Sequence, residues 1–266
     1  MLTRLRNAGL IWPTLLALAG LAVLVSLGNW QMRRKAWKED LIARLEQGAG
    51  AAPIPLAEVL AASDPAAFEF RRVKVTGRFD HAQEFHVWAP TAQGPAWSIV
   101  TPLDLVAPAA GAGARYPTRL VLVVRGTVPE ARKDAAIRAP GQVAGEVEVV
   151  GRVRLGGTGW FTARPDPARN QWFAYDLARM RHAVAARAVA GSASGTAEAA
   201  LGLVAPVLVE AEAAAGGEGA PQPMLNAVNP SNRHLEYALT WYGLALTLIG
   251  VYLAFAVSRL RQSTTG

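Results

Sequence analysis

No cysteine occurs in this chain, and lysine supplies only four of its 27 basic residues. The first absence excludes disulfides, thiolate nucleophiles, zinc sites built on cysteine pairs and covalent haem attachment. Three catalytic signatures are missing as well: there is no G-x-S-x-G elbow, no H-E-x-x-H helix and no phosphate-binding P-loop. The short run Gly156, Gly157, Thr158, Gly159 reads as a flexible turn. A localised basic surface is also lacking. The formal net charge is +7, but Arg4, Arg6, Arg259 and Arg261 in the two tails account for +4 of it. Segment 31–236 carries the other 23 basic residues and all 20 acidic ones, a balance of +3. A segment so nearly balanced offers no footprint for nucleic acid. Scarce lysine in an alanine-rich chain points to a GC-rich bacterial genome.

What the chain has instead is two long apolar runs. Residues 7–32 carry no charge, and neither do the 22 positions from Tyr237 to Ser258. About 20 apolar residues cross a bilayer core as a helix, so each run is long enough to span. Ala17, Leu18 and Ala19 resemble a signal-peptidase site, but the apolar run continues through Leu27, and cleavage there would leave a hydrophobic new terminus. The expected layout is a cytoplasmic tail over 1–7, a span over 8–28, a periplasmic domain over 29–236, a second span over 237–258 and a cytoplasmic tail over 259–266. Paired arginines in both tails favour the cytoplasm. Arg33, Arg34, Lys35 and Lys38 argue the other way, but a domain this long largely escapes the positive-inside rule.

Between the spans the pattern is mostly that of strands. Trp30 to Gln47 first continues as an amphipathic helix with Trp30, Trp37, Leu41 and Leu45 on one face, and Leu56 to Ala62 reads as a short helix. From Arg71 to Phe79, Val73, Val75, Gly77 and Phe79 alternate with Arg72, Lys74, Thr76 and Arg78. Asp80 to Gln83 makes a turn and Glu84 to Ala89 returns. Segments 97–103, 120–125, 147–155 and 205–211 are further strands, 170–182 is helical, and 107–114, 190–202 and 213–220 read as loops. Period-two alternation implies sheets with one wet face, usually antiparallel. The fold class expected is therefore an α+β membrane protein. Its two transmembrane helices flank an external β-rich domain, either a sandwich or a partial barrel.

The candidate site residues are few. Asp80, His81, Glu84 and His86 form the densest set of possible metal ligands, read either as a metal site or as a solvated turn. His182 is expected to close a helix, where a cation complements the dipole. His234 stands just before the second apolar run. At helical spacing it shares a face with Tyr237 or Ala238, Trp241, and Leu244 or Ala245. A histidine there reads as an interfacial anchor or as a ligand. Haem needs one or two axial ligands and an apolar slot. His234 beside Tyr237 and Trp241 can supply both, with Arg233 in reach of a propionate.

Several motifs agree in order and spacing with a known family. Gly28, Trp30, Gln31, Arg34, Trp37, Lys38, Leu41 and Ile42 follow the first span. Arg72, Val73, Val75, Gly77, Phe79, Asp80, His81 and Glu84 open the strand region. Val100 to Leu103 follow, then Leu122, Val123, Arg125, Gly126, Val128 and Pro129. Asn170 and Trp172 come next, and Asn232, His234, Leu235, Tyr237, Ala238, Thr240, Trp241, Tyr242 and Gly243 close the set. From about Leu27 to Ala254 the chain closely resembles the Surfeit locus protein one family of cytochrome c oxidase assembly factors. It departs at Thr127, at Ala89-Pro90 and at Gly94-Pro95-Ala96.

The resemblance implies a non-enzymatic assembly factor for a haem-copper oxidase, binding haem a and assisting its insertion into subunit I. The alternative it leaves is a scaffold that steadies nascent subunit I without carrying haem. The expected haem contacts are His234 at the iron, with Trp30, Tyr237, Trp241 and Arg233 around the macrocycle. Expected partners are subunit I, haem a synthesis or other assembly factors, and membrane lipid. The short N-terminal tail leaves no room for a transit peptide, so a bacterial inner membrane with the main domain periplasmic is expected. A membrane-anchored hydrolase would need a nucleophile and base that the sequence does not offer.

Overall fold

A computed structural model describes residues 9–109, 117–190, 197–224 and 233–265. Arg4, Arg6 and Asn232 of the sequence reading lie outside them, as do 110–114 and 191–196 of the expected loops. The chain divides into two compact units, one of Met1–Arg44 with Val228–Gly266, the other Leu45–Ala227.

The first unit is a pair of helices. Helix α1 runs unbroken from Ile11 to Gly50, about 60 Å at 1.5 Å per residue. That is twice what a bilayer core needs, so the expected amphipathic continuation is one helix with the span. Helix α5, His234–Thr265, is the second candidate span. On α5 the residues turned towards α1 are His234, Ala238, Trp241, Ala245, Leu248 and Tyr252, a three-four spacing that makes a continuous seam. On α1 the matching residues are Thr14, Ala17, Gly20, Leu24, Gly28 and Gln31.

Among the described residues the second unit contains eight strands and three further α-helices: β1 (Ile54–Pro55), α2 (Leu56–Ala61), β2 (Arg72–Phe79), β3 (Phe85–Trp88), β4 (Ala96–Ala109), β5 (Thr118–Pro129), β6 (Glu146–Arg154), β7 (Gln171–Trp172), α3 (Leu177–Ala190), α4 (Ala197–Gly202) and β8 (Val204–Ala211). Of the two forms expected, the sheet takes that of a partial barrel. Strands β2, β6, β8, β5 and β4 follow one another, and β4 returns to β2. Directions cannot alternate all the way round an odd ring, so one neighbouring pair has to be parallel. That pair is β5 with β8; the other four are antiparallel. The closing seam is short, Gly77–Phe79 against Leu103–Leu105. Beyond it β4 leaves the barrel and carries β3 and β7.

Two cores result. Val73, Val75, Phe79, Leu103, Val121, Val123, Val149, Val153, Val207 and Val209 fill the barrel, and Leu56, Val59 and Leu60 of α2 plug one end. On the other face of β5, Leu122 and Val124 pack with Val100, Phe85, Trp172 and Leu208 beneath Leu177, Met180 and Val184 of α3. Strand β5 is thus buried on both faces, which is why it reads as a nearly unbroken apolar run. The wet face of β2, β6 and β8 carries cross-strand ion pairs, Arg72–Glu212 at 2.7 Å and Arg154–Glu210 at 3.0 Å.

Three sequence expectations change. Segment 170–182 begins as strand β7, and the helix starts at Leu177, where the Asp176 carboxylate accepts the Arg179 N–H at 3.1 Å. His182 lies inside that helix and not at its end. Residues 107–109 belong to β4, and 197–202 form α4.

The barrel closes at Gly77, where a Cβ would overlap the Asp104 carbonyl oxygen and the Leu103 side chain. Gly77→Ala is expected to destabilise the fold by about 2 kcal/mol, a fall of about 4–8 °C in Tm. Thermal unfolding of the detergent-solubilised protein followed by circular dichroism checks it; an unchanged Tm would contradict closure at this seam.

Candidate functional site

Two groups of functional side chains form, one in each unit. In the barrel unit the family-like motifs converge on a buried polar knot at one end of the barrel. Arg125 shares the inward parity of Val121 and Val123 and is 1% exposed. Its Nη2 donates to the Gly141 and Ala215 carbonyls at 2.7 and 2.9 Å, and its guanidinium stacks on Phe79 at 4.7 Å. Nη1 donates to His81 Nδ1 at 3.3 Å, while His81 Nε2 donates to the Val143 carbonyl at 2.9 Å. These two contacts fix the imidazole as the neutral Nε2–H tautomer. Beside them Arg138, also 1% exposed, pairs with the Glu84 carboxylate, and His86 Nε2 donates to the same oxygen at 2.7 Å. Asn170, in left-handed conformation at φ 51°, donates to the Glu84 carbonyl at 2.7 Å.

This arrangement answers the metal reading of Asp80, His81, Glu84 and His86. Asp80 caps the turn by accepting the Ala82 N–H, Glu84 is held by an arginine, and both imidazoles are hydrogen-bonded. Among the described residues no three such side chains are placed to hold a metal ion. Two guanidiniums to one carboxylate also leave excess positive charge, which repels a cation. Burial and the neighbouring Arg138 bring Arg125 down to about 10, so it stays charged at neutral pH. The buried Arg138–Glu84 pair holds the loop after β5 to the turn after β2. Removing one partner of such a pair costs about 3–5 kcal/mol.

In the helix pair, His234 and Gln31 meet. The imidazole Nδ1 lies 2.7 Å from Gln31 Oε1. An amide oxygen only accepts, so Nδ1 carries the hydrogen, and Nε2 keeps its lone pair with no partner among the described residues. Two further polar contacts cross the seam. Tyr242 donates its hydroxyl to Asn29 Oδ1 at 2.8 Å, and the Tyr252 hydroxyl meets that of Thr14. Thr14 spends its own hydrogen on the Leu10 carbonyl, so Tyr252 is the donor.

The other candidates surround the imidazole unevenly. Trp241 is half-buried along the seam, whereas Tyr237 and Trp30 are 54% and 53% exposed. Of the alternatives on the expected face, Ala238 and Ala245 take the inward positions. In an antiparallel pair with these seams, helical geometry turns Trp30 and Tyr237 to the same flank. Arg233 forms an exposed ion pair with Glu236 at 3.1 Å. An apolar groove of about 300 Å³ lies between the helices, lined by Pro13, Ala17, Gly20, Leu248, Tyr252 and Phe255. It is separate from the imidazole, since Leu248 stands about 21 Å along the helix from His234.

Sequence reasoning missed the pairing of Gln31 with His234, the role of Arg138 and the burial of Arg125. Each left a signal. Gln31 continues the inward phase of Leu24 and Gly28, and Arg125 continues the alternation of Val121 and Val123. Arg138 had none.

Comparison with known proteins covers most of the chain. A family model described as SURF1 family matches residues 18–246. A protein named Surfeit locus protein 1 from Xenopus tropicalis is 34% identical over 231 residues, 82% of this chain and 67% of the relative. Its namesake from Homo sapiens is 32% identical over 231 residues, 82% and 69% respectively. That from Takifugu rubripes is 31% identical over 251 residues, 90% and 95%.

Burial is the main cause that lowers the pKa of His81 below its ordinary 6.5, followed among the lowering effects by Arg125. Below pH 6.5 the unfolded chain takes up a proton that the folded one resists. Stability is therefore full above 6.5 and falls as the pH drops towards the folded value. Denaturant unfolding between pH 7.5 and 5 should show this loss, and a smaller one in His81→Gln. An equal slope in both would remove His81 as its source.

Proposed function

The chain belongs to the SURF1 family, the cytochrome c oxidase assembly factors, and from that premise we propose that it binds haem a at the helix pair through His234 and assists its insertion into oxidase subunit I. The observation that carries this reading is the 2.7 Å hydrogen bond from His234 Nδ1 to Gln31. A histidine that ligates a metal through one nitrogen donates its other N–H to a fixed acceptor. His234 meets that requirement with Nε2 unspent.

The surrounding residues fit a flat, largely apolar cargo. Haem a, when bound, supplies the iron that an imidazole nitrogen can ligate. Trp30, Tyr237 and Trp241 offer aromatic surface along one flank of the seam. The exposed Arg233–Glu236 pair is worth little, so Arg233 can exchange its partner for a propionate. His234 begins α5, which puts it near the water–lipid boundary, where such a cargo can enter from either phase. In this reading the spans lie in a bacterial inner membrane, the tails are cytoplasmic and the barrel unit, in the periplasm, contacts subunit I. Members of the family act as assembly factors and not as enzymes.

A second reading, a scaffold that holds nascent subunit I without haem, is favoured by one observation. Trp160 and Phe161, at the tip of the loop after β6, are 91% and 83% exposed with ring centroids 4.2 Å apart. Such a pair suits a protein contact.

The two readings separate in one experiment. The protein is co-expressed with haem a synthesis, purified in mild detergent, and its visible spectrum recorded beside that of His234→Ala at equal helix content. A haem a Soret band in the wild type, lost in the variant, is expected. Equal haem in both would move the ligand elsewhere. No haem in either, with subunit I still co-purifying, would establish the scaffold.

A further inference from the structure

The Gln31–His234 contact says more than which nitrogen is free. We propose that Gln31 is a positioning residue that sets the strength of His234 as a ligand and keeps it weak enough to release its cargo. The proposal rests on the haem-carrier reading above.

The contact is not a chance meeting of two polar tips. Gln31 and His234 are 203 positions apart in sequence, and other contacts along the seam fix their register independently. Tyr242 reaches Asn29, Tyr252 reaches Thr14, and Leu248 packs at Gly20. At Gly28 a Cβ would lie 2.5 Å from the Tyr242 ring, so only glycine lets the helices approach this closely. With the register clamped, Gln31 is the α1 residue that faces the imidazole. Polar side chains in such a seam are costly unless partnered, and here each partners the other.

The chemistry of the acceptor decides what the contact does. An imidazole in water favours hydrogen on Nε2, which would block that nitrogen as a ligand. The Gln31 carbonyl selects the opposite tautomer and turns the Nε2 lone pair outward. A carboxylate in the same place would do so too, but would draw the Nδ1 proton strongly and give the ring imidazolate character. That makes a firm ligand, suited to a resident haem. A neutral amide polarises the ring far less. Gln31 therefore orients His234 without strengthening it, which suits a site that must hand its cargo on.

The test uses the full chain in detergent, as wild type, Gln31→Glu and Gln31→Leu, with helix content compared throughout. Without haem, ¹⁵N spectra of histidine-labelled protein, assigned by loss of the His234 signal in His234→Ala, report the tautomer. The wild type should show hydrogen on Nδ1 and Gln31→Leu on Nε2. With haem a, transfer to excess apomyoglobin is timed and the reduction potential measured. Gln31→Glu should release haem at least about tenfold more slowly, at a lower potential, and Gln31→Leu about tenfold faster. A wild-type Nε2–H tautomer would overturn the proposal, as would equal release from all three proteins. If the wild type takes up no haem the carrier reading itself fails, and the release role with it. The tautomer spectrum then still shows whether Gln31 holds the ring. Because Gln31→Glu preserves shape, its altered potential cannot be ascribed to a loosened helix pair.

Discussion

Lipid offers no partner to a polar group, so every polar side chain carried into the seam of the helix pair must find one on the facing helix. That constraint organises the first unit. Tyr252 answers Thr14, Tyr242 answers Asn29, and His234 answers Gln31. Together the three contacts set one antiparallel register, with small residues at Gly20, Gly28, Ala238 and Ala245 allowing the close approach. The position of His234 is a consequence of that register. So is the orientation of its ring, and so is the free nitrogen on which a ligand role depends.

The barrel unit obeys the same rule by other means. Its barrel is a ring of five strands with one parallel pair and a short closing seam, and its end is filled by charge. Arg125 reaches through the core to hold two loop carbonyls, 16 and 90 residues further along the chain. Arg138 and Glu84 tie the loop after β5 to the turn after β2. The histidines and carboxylates that looked like metal ligands are spent on this knot. Their density in the sequence reflects the cost of burying two guanidiniums, each of which needs several acceptors.

The sequence carried the architecture further than it carried the contacts. Two charge-free runs marked the spans. The alternation in Arg72–Phe79 and Glu146–Arg154 marked half-buried strands, and both proved to line the barrel. What alternation cannot show is which strand lies beside which. The parallel pairing of β5 with β8 and the hydrogen bond from His234 to Gln31 depend on closure over many residues. Buried arginines run against the expectation that charge lies at the surface. Only their phase, as with Arg125 after Val121 and Val123, hints at an inward side chain. For His234 the helical face was legible, but the choice between Tyr237 and Ala238 as its inward neighbour required the second helix. Ala238 is inward because close approach needs a small residue there.

The most direct measurement is pulsed electron paramagnetic resonance of the ferric protein loaded with haem a and labelled with ¹⁵N-histidine. If His234 Nε2 ligates the iron, the spectrum contains a strong hyperfine coupling to a histidine ¹⁵N. That coupling disappears in His234→Ala and survives in His81→Gln and His86→Gln, whose imidazoles serve the polar knot. A strong coupling that persists without His234, or haem bound with no histidine coupling at all, would contradict the assignment of the site to the helix pair.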